Sequence, residues 1–142
     1  LIMKQYPIYP KNILLASKQA EFLAQLSNGQ PNKVIKHLES HQHQLTDLIK
    51  LLESAELEMH IRLGVSAVLE SFAGKAAMLS IIPQLQRLTL HTEVHLRSDA
   101  CYFLGLTGQR EAIAILEHAL ADEHEEVQTS AQEALADLTE NL

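Results

Sequence analysis

The stretch LRSDACYFLGLTG, residues 96–108, decides the fold, because its order of residues returns near the end of the chain as VQTSAQEALADL, residues 127–138. Each stretch opens on an aliphatic residue followed by Arg or Gln, and continues with Ala and then Leu at steps of four. A third copy opens at Ile61, where Val65 stands in place of Ala. Steps of four keep side chains on one face of a helix, so the chain repeats one buried helix face.

A second helix follows each of the first two copies after a turn that contains glycine. GKAAMLSIIPQLQRL begins at Gly74 and GQREAIAILEHAL begins at Gly108. A helix pair cannot bury its apolar face alone, so consecutive pairs stack and bury a continuous layer. The sequence therefore predicts an all-α fold, a short α-α superhelix (solenoid) of helix pairs with about eight helices. These helices are predicted at 12–27, 32–40, 44–54, 57–71, 75–90, 94–106, 109–121 and 124–139.

The repeat phase also predicts which residues are buried and where one helix breaks. In the helix at 109–121 the predicted core residues are Ile113, Leu116 and Leu120, and the rest of the layer is Ile61, Leu69, Leu96, Ala100, Leu104, Val127, Ala131 and Leu135. Pro83 lies within the predicted helix at 75–90 and has no backbone N–H, so it should kink or restart that helix. The prolines of YPIYP predict an extended arm over residues 1–10.

Residues 93–138 resemble HEAT-like repeats of the short kind associated with phycobilisome lyases. The residues that fill the pattern of that family are Leu96, Arg97, Ala100, Leu104, Gly105, Gly108, Ala112, Ile113, Leu116, Leu120, Asp122 and Val127. The match is fair over 57–92, weak over 31–56 and absent before about residue 30. The resemblance implies a helical-repeat architecture and carries no catalytic residue across.

The resemblance and the turn signals together predict a single domain over residues 1–142. Its predicted parts are an N-terminal arm and capping helix at 1–30, a weak repeat at 31–56, repeats at 57–92 and 93–123, and a C-terminal capping helix at 124–142. Glutamates and glutamines are frequent in the last helix, which gives it the polar outer face that a terminal cap needs.

Composition and charge narrow the classes of function. The chain has 142 residues, 46% hydrophobic and 4% aromatic, and a formal net charge of -7. It lacks the basic stripe that nucleic-acid binding requires, and no apolar run approaches the ~18 residues of a membrane span. The single cysteine, Cys101, excludes an internal disulfide and favours a reducing compartment, so we expect a cytoplasmic protein. The chain opens with Leu1 rather than Met, which suggests either an excised domain or a processed chain.

Candidate chemistry is sparse, and each candidate has a structural alternative. His37 and His41 are spaced for one helix face, as are His91 and His95, and such pairs can ligate zinc when a third ligand converges. The alternative is that they are solvated positions near helix ends, which the lack of a metal-binding motif favours. Cys101 is interpreted as a packing residue rather than a nucleophile.

The arginines that recur in the repeat are interpreted as structural, and the single His-Glu pair is not interpreted as a metal site. Arg62 and Arg97 occupy one repeat position, and we expect each to pair with an acid of an adjacent turn, namely Glu58, Glu93 or Asp122, with ligand recognition as the alternative. The deoxyhypusine hydroxylases are HEAT-like di-iron enzymes built on repeated His-Glu pairs. This chain has one such pair, His124-Glu125, in a turn between repeats, so that activity is not expected.

The expected function is a non-enzymatic protein–protein interaction module that binds a protein or peptide on the concave face formed by the second helices. Arg87 and Arg110 are the expected anchors, since arginine is enriched among binding hot spots. The full set of expected partner-binding residues is Asp47, Lys50, Ser80, Gln84, Arg87, Arg110, Ala114, Glu117 and His118. No cofactor, metal, nucleic acid or membrane is expected. The alternative is an accessory or regulatory domain of a larger enzyme or multidomain protein.

Overall fold

The computed structural model describes residues 17–54 and 56–141, and over those residues it contains helices and no strand. The α-helices are α1 (Ser17–Ser27), α2 (Pro31–Ser40), α3 (Leu45–Ser54), α4 (Met59–Ser71), α5 (Ile82–Leu88), α6 (Val94–Leu106), α7 (Glu111–Ala119) and α8 (Glu125–Asn141). Short 3-10 turns at Gln42–Gln44 and Ala76–Ile81 precede α3 and α5. The predicted all-α fold class is confirmed, whereas the arm predicted at 1–10 lies outside the described residues.

The chain divides into two compact units between Ser71 and Phe72, and the N-terminal unit comprises α1 to α4. Within it, α1 packs against α2, α3 and α4, and α2 also packs against α4. Each large side chain buried here contributes about 1.5–3 kcal/mol by leaving water. A Cβ on Gly64 of α4 would lie 3.0 Å from Cδ2 of Leu26, so glycine permits this close helix contact. The fully buried side chains include Phe22, Leu26, Leu38, Leu48, Ile49 and Ile61.

The C-terminal unit comprises α5 to α8, and its most extensive contact joins α6 to α8. Ala100 and Ala131, the small residues at the middle repeat position, are fully buried. A Cβ on Gly105 would lie only 2.9 Å from Cβ of Ala134. Small side chains therefore allow α6 and α8 to pack as closely as the repeat predicts.

The sequence predicts a single domain over 1–142, whereas the structure divides into two compact units after Ser71. This boundary falls inside the predicted repeat at 57–92, between its first helix and its second. The division into repeats and caps therefore stays a prediction, and each unit is described by itself below.

Two turn glycines of the C-terminal unit pack on each other. Gly74 has a φ of 73° and Gly108 a φ of 63°, a left-handed conformation that glycine adopts without strain. The Gly74 N–H donates to the carbonyl of Leu106 at 2.9 Å. A Cβ on Gly108 would lie 2.9 Å from Cα of Gly74. The turn that contains Gly74 and the turn that contains Gly108 therefore pack directly against each other.

Pro83 divides the helix predicted at 75–90. The chain runs as a 3-10 turn over Ala76–Ile81, and α5 begins only at Ile82, which places Pro83 in the first turn of α5. Proline is tolerated there because the first backbone N–H groups of a helix have no intrahelical partner. The predicted restart at Pro83 is confirmed.

The predicted buried face of α7 is wrong at two positions. Ile113 is half-buried and Leu120 is 38% exposed. The buried residues are instead Ala112, Leu116 and Ala119. The helix packs against both α6 and α8, and its alanines let it approach both neighbours closely.

The rest of the predicted buried layer is largely confirmed. Leu96 and Leu135 are half-buried rather than buried. The residues confirmed as buried are Ile61, Leu69, Ala100, Leu104, Leu116, Val127 and Ala131.

Candidate partner-binding surface

The surface predicted to bind a partner lies in the C-terminal unit on α5 and α7, which pack against each other. Arg87 lies in the last turn of α5, and Arg110 immediately precedes α7. Ala114 is exposed on α7, and its small side chain leaves room for the backbone of a partner. The six exposed residues, named the second-helix surface from here on, are Ser80, Arg87, Arg110, Ala114, Glu117 and His118.

Gln84 is a correction to the predicted set, because it is only 6% exposed. The prediction assumed one continuous α-helix, in which Ser80 and Gln84 lie on the same face. Ser80 instead lies in the 3-10 turn Ala76–Ile81 and Gln84 in α5, which begins afresh at Ile82, so the two residues do not belong to one continuous helix face. Gln84 therefore turns inward beside Leu85 and Leu88, while Ser80 stays exposed.

Asp47 and Lys50 lie on α3 in the N-terminal unit. Lys50 is exposed. Asp47 is half-buried, and its Oδ1 accepts a long hydrogen bond of 3.5 Å from Nε2 of Gln19 on α1. Asp47 is thus partly engaged in holding α1 to α3, and Lys50 is the more accessible of the two.

Arg97 forms a two-point ion pair with Asp122 in the C-terminal unit. Its Nε and Nη2 donate to the two carboxylate oxygens of Asp122 at 2.9 and 3.1 Å, and its Nη1 donates to the carbonyls of His91 at 3.0 Å and Thr92 at 3.3 Å. The two side chains are only 10% and 12% exposed. The hydrogen bond from Arg97 holds the pKa of Asp122 below its ordinary value, against the opposing effect of burial. The predicted pairing of Arg97 with Asp122 is confirmed, and it leaves Arg97 engaged within the protein.

Gln128 occupies the position of α8 that corresponds to Arg97 of α6, and like Arg97 it binds the turn before α8. Its Nε2 donates to the backbone carbonyl of Asp122 at 2.6 Å. The Oδ1 of Asp122 also accepts the backbone N–H of His124 at 2.9 Å, which shapes the turn into α8. Asp122 therefore accepts hydrogen bonds from Arg97 of α6, from Gln128 of α8 and from His124 in its own turn.

A shallow cleft of about 560 Å³ lies beside this cluster, and sequence reasoning missed it. The turn before α6 forms one wall, and the turn before α8 forms the other. The lining residues are Thr89, Leu90, His91, Thr92, Arg97, Asp122 and Glu123. One sequence signal could have revealed it: His91 precedes Leu96, and Asp122 precedes Val127, by the same number of residues.

The histidines singled out in the sequence are engaged in local contacts. Nδ1 of His95 lies 4.0 Å from Oε2 of Glu93, and His60, which precedes Ile61 as His95 precedes Leu96, lies 3.5 Å from Oε2 of Glu58. The rings of His37 and His41 stack with centroids 4.3 Å apart. Within residues 17–54 and 56–141, no three His, Cys, Asp or Glu side chains converge in a way that could hold a metal ion.

Cys101 is buried in α6 next to Ala100. Burial raises the pKa of its thiol to about 11, with a further rise from the negative charge of Asp122. The thiolate is the nucleophilic form of cysteine, and it is scarce at neutral pH when the pKa is so high. This environment is that of a packing residue.

None of the helices in the described part of the chain combines the length and the apolar character needed to cross a bilayer.

Comparison with known proteins gives one match. A family model of HEAT repeats matches residues 45–136, which is more than half of the chain. Comparisons with curated proteins and with solved structures found no match. The matched residues run from the start of α3 into α8 and include the second-helix surface and the Arg97–Asp122 pair.

Proposed function

The chain belongs to the HEAT-repeat family, and because HEAT repeats are commonly protein-interaction scaffolds, we propose that it is a protein-interaction module. It binds a protein or a peptide through the second-helix surface of its C-terminal unit. In the N-terminal unit, Lys50 of α3 is proposed by itself as a contact residue. The module works in the cytoplasm and carries out no catalysis of its own.

The composition of the second-helix surface is the observation that supports this proposal. Ala114 is small and exposed, and the charged residues Arg110 and Glu117 flank it along α7. A helix or extended segment can therefore approach α7 closely at Ala114 and place its polar groups against both charge signs. Arg87 and Arg110 suit the surface to anchor such a segment, since arginine is enriched among binding hot spots.

The chemistry of the described residues favours binding over catalysis. The Arg97 guanidinium makes four hydrogen bonds, two to Asp122 and two to backbone carbonyls, and the Cys101 thiol is buried with a raised pKa. The net charge of -7 disfavours nucleic acid as the partner, since binding to phosphates requires a cluster of basic side chains. We therefore propose a protein or peptide ligand.

Photo-cross-linking at single positions tests the proposal. A photoreactive phenylalanine analogue at position 114 lies on the second-helix surface, and the same analogue at position 136 lies on the exposed face of α8. We expect a specific protein adduct from position 114 in cells that produce the protein, and none from position 136. Equal adducts from both positions, or adducts from position 136 alone, would overturn the assignment of the surface.

A further inference from the structure

The turn between α5 and α6 is held by a histidine where the equivalent turn before α8 is held by an aspartate. The backbone N–H of Glu93 donates to Nδ1 of His91 at 3.0 Å. The backbone N–H of His124 donates to Oδ1 of Asp122 at 2.9 Å. In both turns the acceptor stands two residues before the donor, and the donor leads directly into the next helix. The same local hydrogen bond therefore uses an imidazole in one turn and a carboxylate in the other.

The two acceptors respond differently to protons. A backbone N–H can donate to a ring nitrogen only when that nitrogen carries no proton, so His91 is held with its proton on Nε2. Protonation of His91 would place a hydrogen on Nδ1 and remove the acceptor. Histidine is the side chain that ordinarily changes charge between about pH 8 and pH 5. The carboxylate of Asp122 stays ionised over that range, because Arg97 holds its pKa below the ordinary value.

Protonation of His91 would also add a positive charge at the entrance to α6. α6 begins at Val94, and the N-terminus of a helix carries a partial positive charge that repels cations. Arg97 donates to the carbonyl of His91 itself, so a second cation would lie beside an existing one. The charged and titratable groups around His91 are Arg87 at the end of α5, Glu93, His95 and Arg97 at the start of α6, and Asp122 and Glu123 in the turn before α8.

We propose that the turn between α5 and α6 is a proton-sensitive element: protonation of His91 releases the N–H of Glu93 and loosens the entrance to α6, while the Asp122 turn before α8 stays closed. The consequence falls on the cleft, since His91 and Thr92 line one wall and Asp122 and Glu123 the other. Mild acidification therefore moves one wall of the cleft and leaves the other in place. This inference does not depend on the proposed partner.

Nuclear magnetic resonance on the whole chain tests the proposal in two measurements. The first measurement determines which ring nitrogen of His91 carries the proton at about pH 8. We expect the Nε2–H tautomer, with Nδ1 unprotonated. The second is the protection factor of the Glu93 amide, which corrects for the intrinsic dependence of hydrogen exchange on pH. We expect it to fall about fivefold between about pH 8 and about pH 5.5, the factor that corresponds to the net strength of one hydrogen bond. The amide of His124 is the internal control, and its protection should stay constant.

The variant His91→Asp separates the histidine from other titrating groups. Aspartate supplies the acceptor that Asp122 supplies in the other turn, so the Glu93 amide should keep its protection at both pH values. A fall in His91→Asp equal to that of the unmodified protein would assign the effect to another group and overturn the proposal. A constant protection factor in the unmodified protein, or an Nδ1–H tautomer at about pH 8, would overturn it without any variant.

Discussion

The turns that lead into α6 and α8 make the same hydrogen bond with different side chains, and Arg97 touches both of them. In the turn before α6 it binds the backbone carbonyls of His91 and Thr92, and in the turn before α8 it binds the carboxylate of Asp122. The comparison shows that the repeat retains the geometry of the turn while the acceptor varies. The turn with the carboxylate is an ion-paired anchor, whereas in the turn with the imidazole Arg97 meets only uncharged backbone carbonyls.

The largest expected difference between the two turns is in stability. Asp122→Ala leaves the guanidinium of Arg97 buried without its carboxylate, which destabilises a protein by about 3–5 kcal/mol. His91→Ala removes one neutral hydrogen-bond acceptor, and we expect a loss of about 1 kcal/mol. Chemical denaturation followed by circular dichroism measures both losses, with Glu123→Ala as an exposed neighbour that should change little. Equal losses for the two variants would mean that the ion pair adds nothing to the Asp122 turn.

A second prediction tests the repeat phase on which the comparison rests. Ala100 is fully buried on α6, so Ala100→Leu should overpack the contact with neighbouring helices and cost about 1–3 kcal/mol of unfolding free energy. Ala136→Leu, at an exposed position of α8, is the control and should be close to neutral. If Ala100→Leu proves neutral in the same denaturation experiment, the residues of α6 have been assigned to the wrong faces.

A third prediction concerns acid and sharpens the contrast between the two acceptors. The folded-state pKa of Asp122 is lowered, so the carboxylate adds stability above the pKa of the unfolded chain, about 3.9, and that stability is lost as pH falls through the folded value. The difference in unfolding free energy between the protein and Asp122→Asn should stay constant from about pH 7 to about pH 5 and shrink below about pH 4. A difference that already shrinks between about pH 7 and pH 6 would show that another group controls this turn.

Much of the fold could be predicted because its signals are local. The span of α6 was predicted at 94–106 and observed there, since an aliphatic-Arg pair opens it and Gly108 follows its end. Pro83 has one physical consequence in a helix, the loss of a backbone donor, so the restart at Ile82 could be predicted too.

The wrong predictions concern the buried face of α7 and the exposure of Gln84. Both depend on how helices pack and where they restart, which residue spacing alone does not determine. Ile113 and Leu120 share a helix face by spacing, and so do Ala112 and Ala119, but only the contact of α7 with both α6 and α8 selects the alanines. The prediction placed Gln84 on the exposed stripe because it treated residues 75–90 as one helix face, whereas the chain forms a 3-10 turn over Ala76–Ile81 and α5 begins only at Ile82. The hydrogen bond of His91 depends on turn geometry and was not predicted.

The central claim is that a partner binds the second-helix surface, and titration calorimetry with the partner identified by cross-linking tests it most directly. Ala114→Trp fills the space that a bound segment would occupy, whereas Ala136→Trp places the same side chain on α8. We predict that Ala114→Trp weakens binding by at least about tenfold, or about 1.4 kcal/mol, and that Ala136→Trp binds like the unmodified protein. Unchanged affinity in Ala114→Trp, combined with lost affinity in Ala136→Trp, would contradict the claim and place the binding surface on α8.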